Sequence, residues 1–214
     1  MKLYSYFRSS AAYRVRIALN LKGLPYEYAP VHLLRDGGQQ LAPAYRALNP
    51  DGVVPALVDG DTVLNQSLAI VEYLEETHPE PPLLPRDPIA RAHVRALALQ
   101  VACEIHPLDN LRVLKYLKHE LHITDEAKDA WYKHWIDNGF SVLETQLAAD
   151  ARTGKFVFGD TPTMADLCLI PQIFNAQRFG IDLQPYPTLV RIDTAAQRLD
   201  AFAEAAPGRQ PDAE

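Results

Sequence analysis

Tyr4-Ser5-Tyr6-Phe7-Arg8-Ser9-Ser10-Ala11-Ala12-Tyr13-Arg14-Val15-Arg16-Ile17-Ala18-Leu19 decides how the rest of this chain is read. The stretch begins as an apolar strand, passes two hydroxyls, and enters an amphipathic helix with Ala12, Val15, Ile17, Ala18 and Leu21 in its apolar pattern. A hydroxyl pair at a strand-to-helix junction is a ready N-cap, because its oxygens accept otherwise unpaired amide protons. The same helix N-terminus and hydroxyl can also face an anion, such as a thiolate. On this stretch alone both readings stand.

Residues 2–7 and 26–31 read as strands on either side of that helix, a βαβ opening. Gly23-Leu24-Pro25 ends the helix, since glycine suits the C-terminal cap and proline cannot continue it. A short helix is expected over about 40–48, followed by the turn Asn49-Pro50-Asp51-Gly52. In Val53-Val54-Pro55-Ala56-Leu57-Val58 the proline donates no ladder bond, so the run needs an edge position or a cis peptide at Val54-Pro55. Gly60-Asp61 turns a hairpin into Val63-Leu64, and Ser67 is the expected cap of a helix with Leu68, Ile70, Val71 and Leu74 inward. The order β-α-β-α-β-β-α describes a small α/β domain over 1–80.

Prolines then crowd His78-Pro79-Glu80-Pro81-Pro82 and Leu84-Pro85-Arg86-Asp87-Pro88, which suits a stiff linker over 81–87. Helical spacing follows over 89–119, 125–149, 163–178 and 187–204, so residues 88–214 read as an all-α domain. Thr163-Met164-Ala165-Asp166 has the spacing of a capping box. The polar tail from Pro207 to Glu214 is expected to be loosely held.

A length of 214 residues suits one large or two small domains, and 48% hydrophobic with 22% charged residues is an ordinary globular composition. The net charge of −6 argues against a nucleic-acid binder, whose footprint would be basic. Cys103 and Cys168 lack metal or redox spacing and read as small buried apolar residues in a reducing compartment. Met1-Lys2-Leu3-Tyr4 lacks a signal-peptide core, and no apolar run is long enough for a membrane span. A cytoplasmic location is expected.

Several segments together resemble the zeta class of cytosolic glutathione transferases. They are Tyr4 to Leu19, Gly38-Gln39-Gln40, Ala47-Leu48-Asn49-Pro50, Val54-Pro55, Asn65 to Glu76, Leu83-Leu84-Pro85, Gly159 to Pro171, and Arg209-Gln210-Pro211-Asp212. The resemblance runs nearly end to end. It implies a thioredoxin-like α/β amino-terminal domain, an all-α carboxyl-terminal domain, glutathione bound between them, and a homodimer. Where the family usually has Ser-Ser-Cys, this chain has Ala11 in the third place, which removes thiol exchange there and keeps both serines.

By the same resemblance Ser9 stabilises the glutathione thiolate, with amides near Ser10 and Ala11 assisting. Gln66 and Ser67 take the γ-glutamyl carboxylate, the Val54 backbone takes the cysteinyl unit, and Gln40 reaches the glycyl end. His106, Asn110 and Arg112 close over the ligand from the helical domain. The implied reaction is cis–trans isomerisation of maleylacetoacetate to fumarylacetoacetate by reversible thiolate addition, with no metal. A substrate with two carboxylates needs fixed cations, and Arg8, Arg112 and Arg178 are the candidates, because guanidinium binds carboxylate bidentately. Arg14 and Arg16 read as structural or dimer-interface residues. Maleylpyruvate isomerisation, conjugation of small halogenated acids, and a non-catalytic binding module on the same fold are the competing readings.

Overall fold

A computed structural model describes residues 1–214 of the protein. Strands β1 (Lys2–Ser5), β2 (Glu27–Pro30), β3 (Ala56–Asp59) and β4 (Thr62–Asn65) form one sheet in the order β2-β1-β3-β4. β1 and β2 are parallel, as a connection through helix α1 (Ser10–Leu21) requires, with Leu3 opposite Tyr28. β3 runs antiparallel to both β1 and β4, with Leu57 opposite Leu3 and Leu64. Leu3 and Leu57 are fully buried. The first strand is shorter than 2–7 because Tyr6 and Phe7 leave the sheet in a turn closed by Ser9 N–H donating to the Tyr6 carbonyl at 2.9 Å.

Of the two routes open to Pro55, the chain takes the cis peptide, Val54-Pro55. Pro55 immediately precedes β3, so its missing N–H falls outside the ladder and β3 occupies an interior position. The helix expected over 40–48 begins later, as α2 (Pro43–Leu48), because Pro43 sits at its first position after a 3₁₀ turn at Gln39–Leu41. Helix α3 (Ser67–Thr77) packs on α1. Lys22 and Glu75 make a buried ion pair at 2.8 Å. The pair is completed by the carbonyls of His78 (2.6 Å) and Pro81 (3.0 Å) on the ammonium, and by Leu83 N–H on the carboxylate at 2.9 Å. Those extra bonds are what a buried ion pair needs to offset desolvation, and they tie the first part of the proline-rich segment down.

The chain divides into two compact units, Met1–Leu83 with Gln197–Glu214, and Leu84–Ala196. This differs from a helical domain running to residue 214. The helical pattern over 187–204 is two helices, α8 (Pro187–Ala196) and α9 (Asp200–Ala203), and α9 packs on α1 in the first unit. The bonds responsible come from the first helix: Tyr13 hydroxyl to the Phe202 carbonyl, Asn20 to the Ala201 carbonyl, and Arg16 to the Ala205 carbonyl. The tail is not loose either. Gln210 is buried, Asp212 accepts hydrogen bonds from Phe7 N–H and the Tyr28 hydroxyl, and Glu214 pairs with Arg35.

The second unit is helical throughout: α4 (Pro88–Leu99), a π-helical segment (Gln100–Ile105), α5 (Leu111–His119), α6 (Asp125–Ala149), α7 (Met164–Arg178) and α8. The single helix expected over 89–119 is therefore broken. Pro107 has no N–H to continue the ladder, and Asn110 restarts the helix by accepting from Arg112 N–H at 3.1 Å. Gly139 of α6 leaves room for the π segment, since a Cβ there would meet Ile105 Cδ1 at 2.2 Å. Cys168 is buried as expected, but Cys103, on the π segment, is exposed. No helix is long and apolar enough to cross a membrane.

Candidate functional site

The turn that carries Ser9 is held from inside by Arg16. Its guanidinium is wholly buried and donates to Ser5 Oγ (3.1 Å) and to the carbonyls of Tyr6 (3.4 Å), Phe7 (3.1 Å) and Ala205 (2.9 Å). That makes Arg16 a structural residue. Ser9 then caps α1, accepting from Ala12 N–H at 3.2 Å. Capping uses a lone pair of the hydroxyl and leaves its proton to be donated, so cap and anion stabiliser are compatible roles for one side chain. Ser10 is buried and Ala11 half-buried beside it, while Arg8 is exposed with its guanidinium 4.7 Å from the Phe7 ring centre.

The N-terminus of α3 differs from expectation. Its cap position is Gln66, not Ser67, and Gln66 adopts φ 66° without placing its side chain on the helix end. The left-handed region is unfavourable for a residue with a Cβ, so strain is held here. Ser67, inside the first turn, accepts from Arg14 Nη1 at 3.2 Å. Arg14 is only 2% exposed, and its Nε and Nη2 have no partner. An uncapped helix end beside a buried guanidinium with two unfilled donors fits a carboxylate. Sequence reading left Arg14 as a structural or dimer-interface residue, because spacing along α1 does not show which atoms of a long side chain find partners.

Two further residues of the first unit lie on loops. Val54 packs with Tyr6, Phe7, Val31 and Tyr45 and lies outside the β3 ladder, so its backbone has no strand partner. Gln40 is buried, with its Oε1 unpartnered and its Nε2 only 3.5 Å from the Leu33 carbonyl. Helices α1, which begins at Ser10, and α3, which begins at Ser67, pack together in the first unit and are tied by the Arg14–Ser67 bond. Arg14, Gln40 and Ser9 all retain polar capacity of the kind a γ-glutamyl peptide could fill.

In the second unit His106, Asn110 and Arg112 lie on one short stretch between the π segment and the start of α5. Arg178 ends α7, exposed, with its guanidinium 4.5 Å from the centre of the Phe179 ring. Phe179 stacks on Tyr132 of α6, ring centres 3.7 Å apart. Burial holds the Tyr132 hydroxyl above the usual phenol range, the Asp109 charge adds to that, and the positive charge of Arg178 opposes it. Asp109 itself is 6% exposed with neither carboxylate oxygen partnered, and burial pushes its pKa up to about 8. An aspartate before an asparagine cap reads as solvated, so nothing in the local sequence marks it.

Comparison with known proteins is consistent with this geometry. The profile of the glutathione S-transferase N-terminal domain matches residues 3–82, and that of the C-terminal domain matches residues 125–208. A maleylacetoacetate isomerase of Rattus norvegicus is 51% identical over 211 residues, covering 98% of this chain and 94% of the relative. A maleylpyruvate isomerase of a Ralstonia species is 51% identical, covering 99% of each chain. Among solved structures, a holo maleylpyruvate isomerase, described as a bacterial zeta-class glutathione S-transferase, superposes with TM-score 0.97 at 50% identity over 100% of both chains. A maleylacetoacetate isomerase of Methylobacterium extorquens AM1 with malonate and glutathione bound gives TM-score 0.96 at 47% identity, again over 100% of both.

Proposed function

This chain belongs to the glutathione S-transferase family, and from that premise we propose that it is a glutathione-dependent cis–trans isomerase of a keto dicarboxylate, converting maleylacetoacetate to fumarylacetoacetate. The observation that carries the reading is the pair of helix ends joined by Arg14: Ser9 with a proton to donate at α1, and an uncapped α3 facing a buried guanidinium. The relatives supply the substrate class.

Bound glutathione supplies a thiolate that adds reversibly to the cis double bond of the enone, freeing rotation before it leaves again. Ser9 donates its hydroxyl proton toward that sulfur, and the start of α1 favours the charged form. A pKa depression of about one to two units corresponds to about 1.4–2.7 kcal/mol. Amides near Ser10 and Ala11 assist, and Ala11 offers no thiol of its own. Gln66, Ser67 and Arg14 hold the γ-glutamyl carboxylate, Val54 the cysteinyl backbone, and Gln40 the glycyl end. His106, Asn110 and Arg112, which the family resemblance implicates, belong to the second unit. Arg8, Arg112 and Arg178 are the guanidinium candidates for the two substrate carboxylates and for the charge that develops on the carbonyl oxygens. The protein acts as a cytoplasmic homodimer in this reading.

The test follows loss of the enone absorbance of maleylacetoacetate with catalytic glutathione, then of maleylpyruvate. Turnover many times the glutathione present is expected, and the ratio of kcat/KM values names the substrate. Consumption of glutathione in step with an electrophile would instead indicate a conjugating transferase. Arg178→Ala should raise KM for the dicarboxylate about tenfold with glutathione affinity nearly intact, the effect of losing one charge-assisted contact.

A further inference from the structure

The carboxyl-terminal tail reaches the catalytic turn from 205 residues away. Asp212 Oδ2 accepts from Phe7 N–H at 3.1 Å, and its Oδ1 accepts from the Tyr28 hydroxyl at 2.6 Å. The tail is anchored on both sides of Asp212. Before it, Gln210 Nε2 donates to the carbonyls of Glu204 (2.8 Å) and Ala206 (2.9 Å). After it, the Glu214 carboxylate pairs with Arg35 and lies 3.3 Å from His32 Nε2.

Phe7 is buried, two residues before Ser9, and inside the turn that Ser9 N–H closes onto the Tyr6 carbonyl. Both of its backbone polar groups are satisfied by distant side chains, the N–H by Asp212 and the carbonyl by Arg16. Arg16 and Asp212 also attract each other through space. The peptide planes of residues 6–9 set where Ser9 Oγ points, and a hydroxyl donor weakens steeply when misaligned. Arg16 alone fixes one side of the Phe7 unit. Without Asp212 its N–H would be buried and unpaired, and the turn would relax to find water.

We infer that Asp212 is a positioning residue for Ser9: the carboxyl-terminal tail acts as a strap that orients the catalytic hydroxyl through the Phe7 amide. The inference rests on the glutathione reading above. It concerns a residue that touches no reacting atom, so its test must separate orientation from bulk stability.

The experiment titrates the thiol of glutathione bound to the full-length protein by its ultraviolet thiolate absorbance, beside thermal unfolding and steady-state kinetics. In Asp212→Ala the bound thiol pKa should rise by about 0.5–1 unit, leaving about three- to tenfold less thiolate below that pKa. kcat/KM should fall by a similar factor, with the dissociation constant of glutathione changed less than about twofold, because the γ-glutamyl site at α3 is untouched. Asp212→Asn keeps a neutral acceptor for Phe7 N–H and should restore most of the loss. A folded Asp212→Ala protein that titrates like wild type overturns the inference, as does an asparagine variant no better than alanine. If Asp212→Ala does not fold, Tyr28→Phe removes one of the two partners that aim the carboxylate. A shift in the same direction then supports the strap, and an unmoved titration overturns it. A wild-type protein that binds no glutathione overturns the functional reading and this inference together, whereas wild-type thiolate with unmoved variants overturns the strap alone.

Discussion

The starts of α7 and α3 are built on opposite terms. At α7 the Asp166 carboxylate accepts from Thr163 N–H (2.7 Å), Thr163 Oγ1 (3.0 Å) and Val157 N–H (2.8 Å), completing a capping box with no exposure to solvent. Even so, burial pushes the Asp166 pKa up to about 6, against the pull of those bonds. At α3 the cap position is a strained Gln66, no side chain covers the helix end, and two Arg14 donors stay unfilled. A helix end that satisfies itself contributes stability and can take no ligand. One left incomplete carries strain and unfilled donors, and those donors are what a carboxylate can satisfy.

The largest effect expected from this contrast is on the closed end. Asp166→Ala removes a cap and leaves two buried N–H groups unpaired, so it should cost about 3–4 kcal/mol of unfolding free energy in chemical denaturation. A loss under about 1 kcal/mol would mean that the box is not what holds α7. Next comes Ser9→Ala, which should lower kcat/KM about 100-fold and raise the bound thiol pKa, while costing only about 1 kcal/mol of stability as a lost cap. A wild-type thiol titration in that variant would remove Ser9 from the chemistry.

Gln66→Gly sharpens the comparison at the open end. Glycine adopts φ 66° freely but loosens the unfolded chain, so stability should stay within about 1 kcal/mol of wild type. Glutathione affinity, read by calorimetry, should fall about tenfold for the loss of a polar contact to a charged group. Unchanged affinity would mean that the backbone, not the side chain, makes the site.

The effect at Asp109 appears only as pH changes, because its carboxyl holds its proton up to about pH 8 in the folded protein but only to the ordinary carboxylate range when unfolded. The folded state therefore binds more protons across that window, and its contribution to stability is lost as pH rises from about 4 through 8. Asp109→Asn cannot ionise, so its melting temperature should gain steadily on wild type as pH rises between those limits, by at most about 1.4 kcal/mol of unfolding free energy per pH unit. A pH-independent difference would show that Asp109 finds a partner when charged.

Local physics made much of this readable in advance. Ser9 was legible as a cap because capping depends on residues three apart, and Thr163 with Asp166 was legible for the same reason. The βαβ opening followed from a switch of apolar period between Tyr4 and Leu19. The break at Pro107 could have been found, since proline inside a helical pattern removes a donor, but apolar spacing continues across it and hid the stop. Ser67 was misplaced by one residue because a left-handed Gln66 is a conformation no propensity favours.

By itself the sequence determined the β-α-β-α-β-β-α order of the first eighty residues, the family to which the chain belongs, and the hydroxyl at the head of α1. All three depend on residue type and short spacing. Only the tertiary structure decided that Arg14 bonds Ser67 of α3 with two buried nitrogens left unfilled, that Asp109 is buried without a partner, and that the last eighteen residues return to the first unit. It also placed Asp212 on the Phe7 amide. These depend on what another segment does to the solvent around a group. A side chain's chemistry is local, but its burial and its partners are set by chain brought back from far away in sequence.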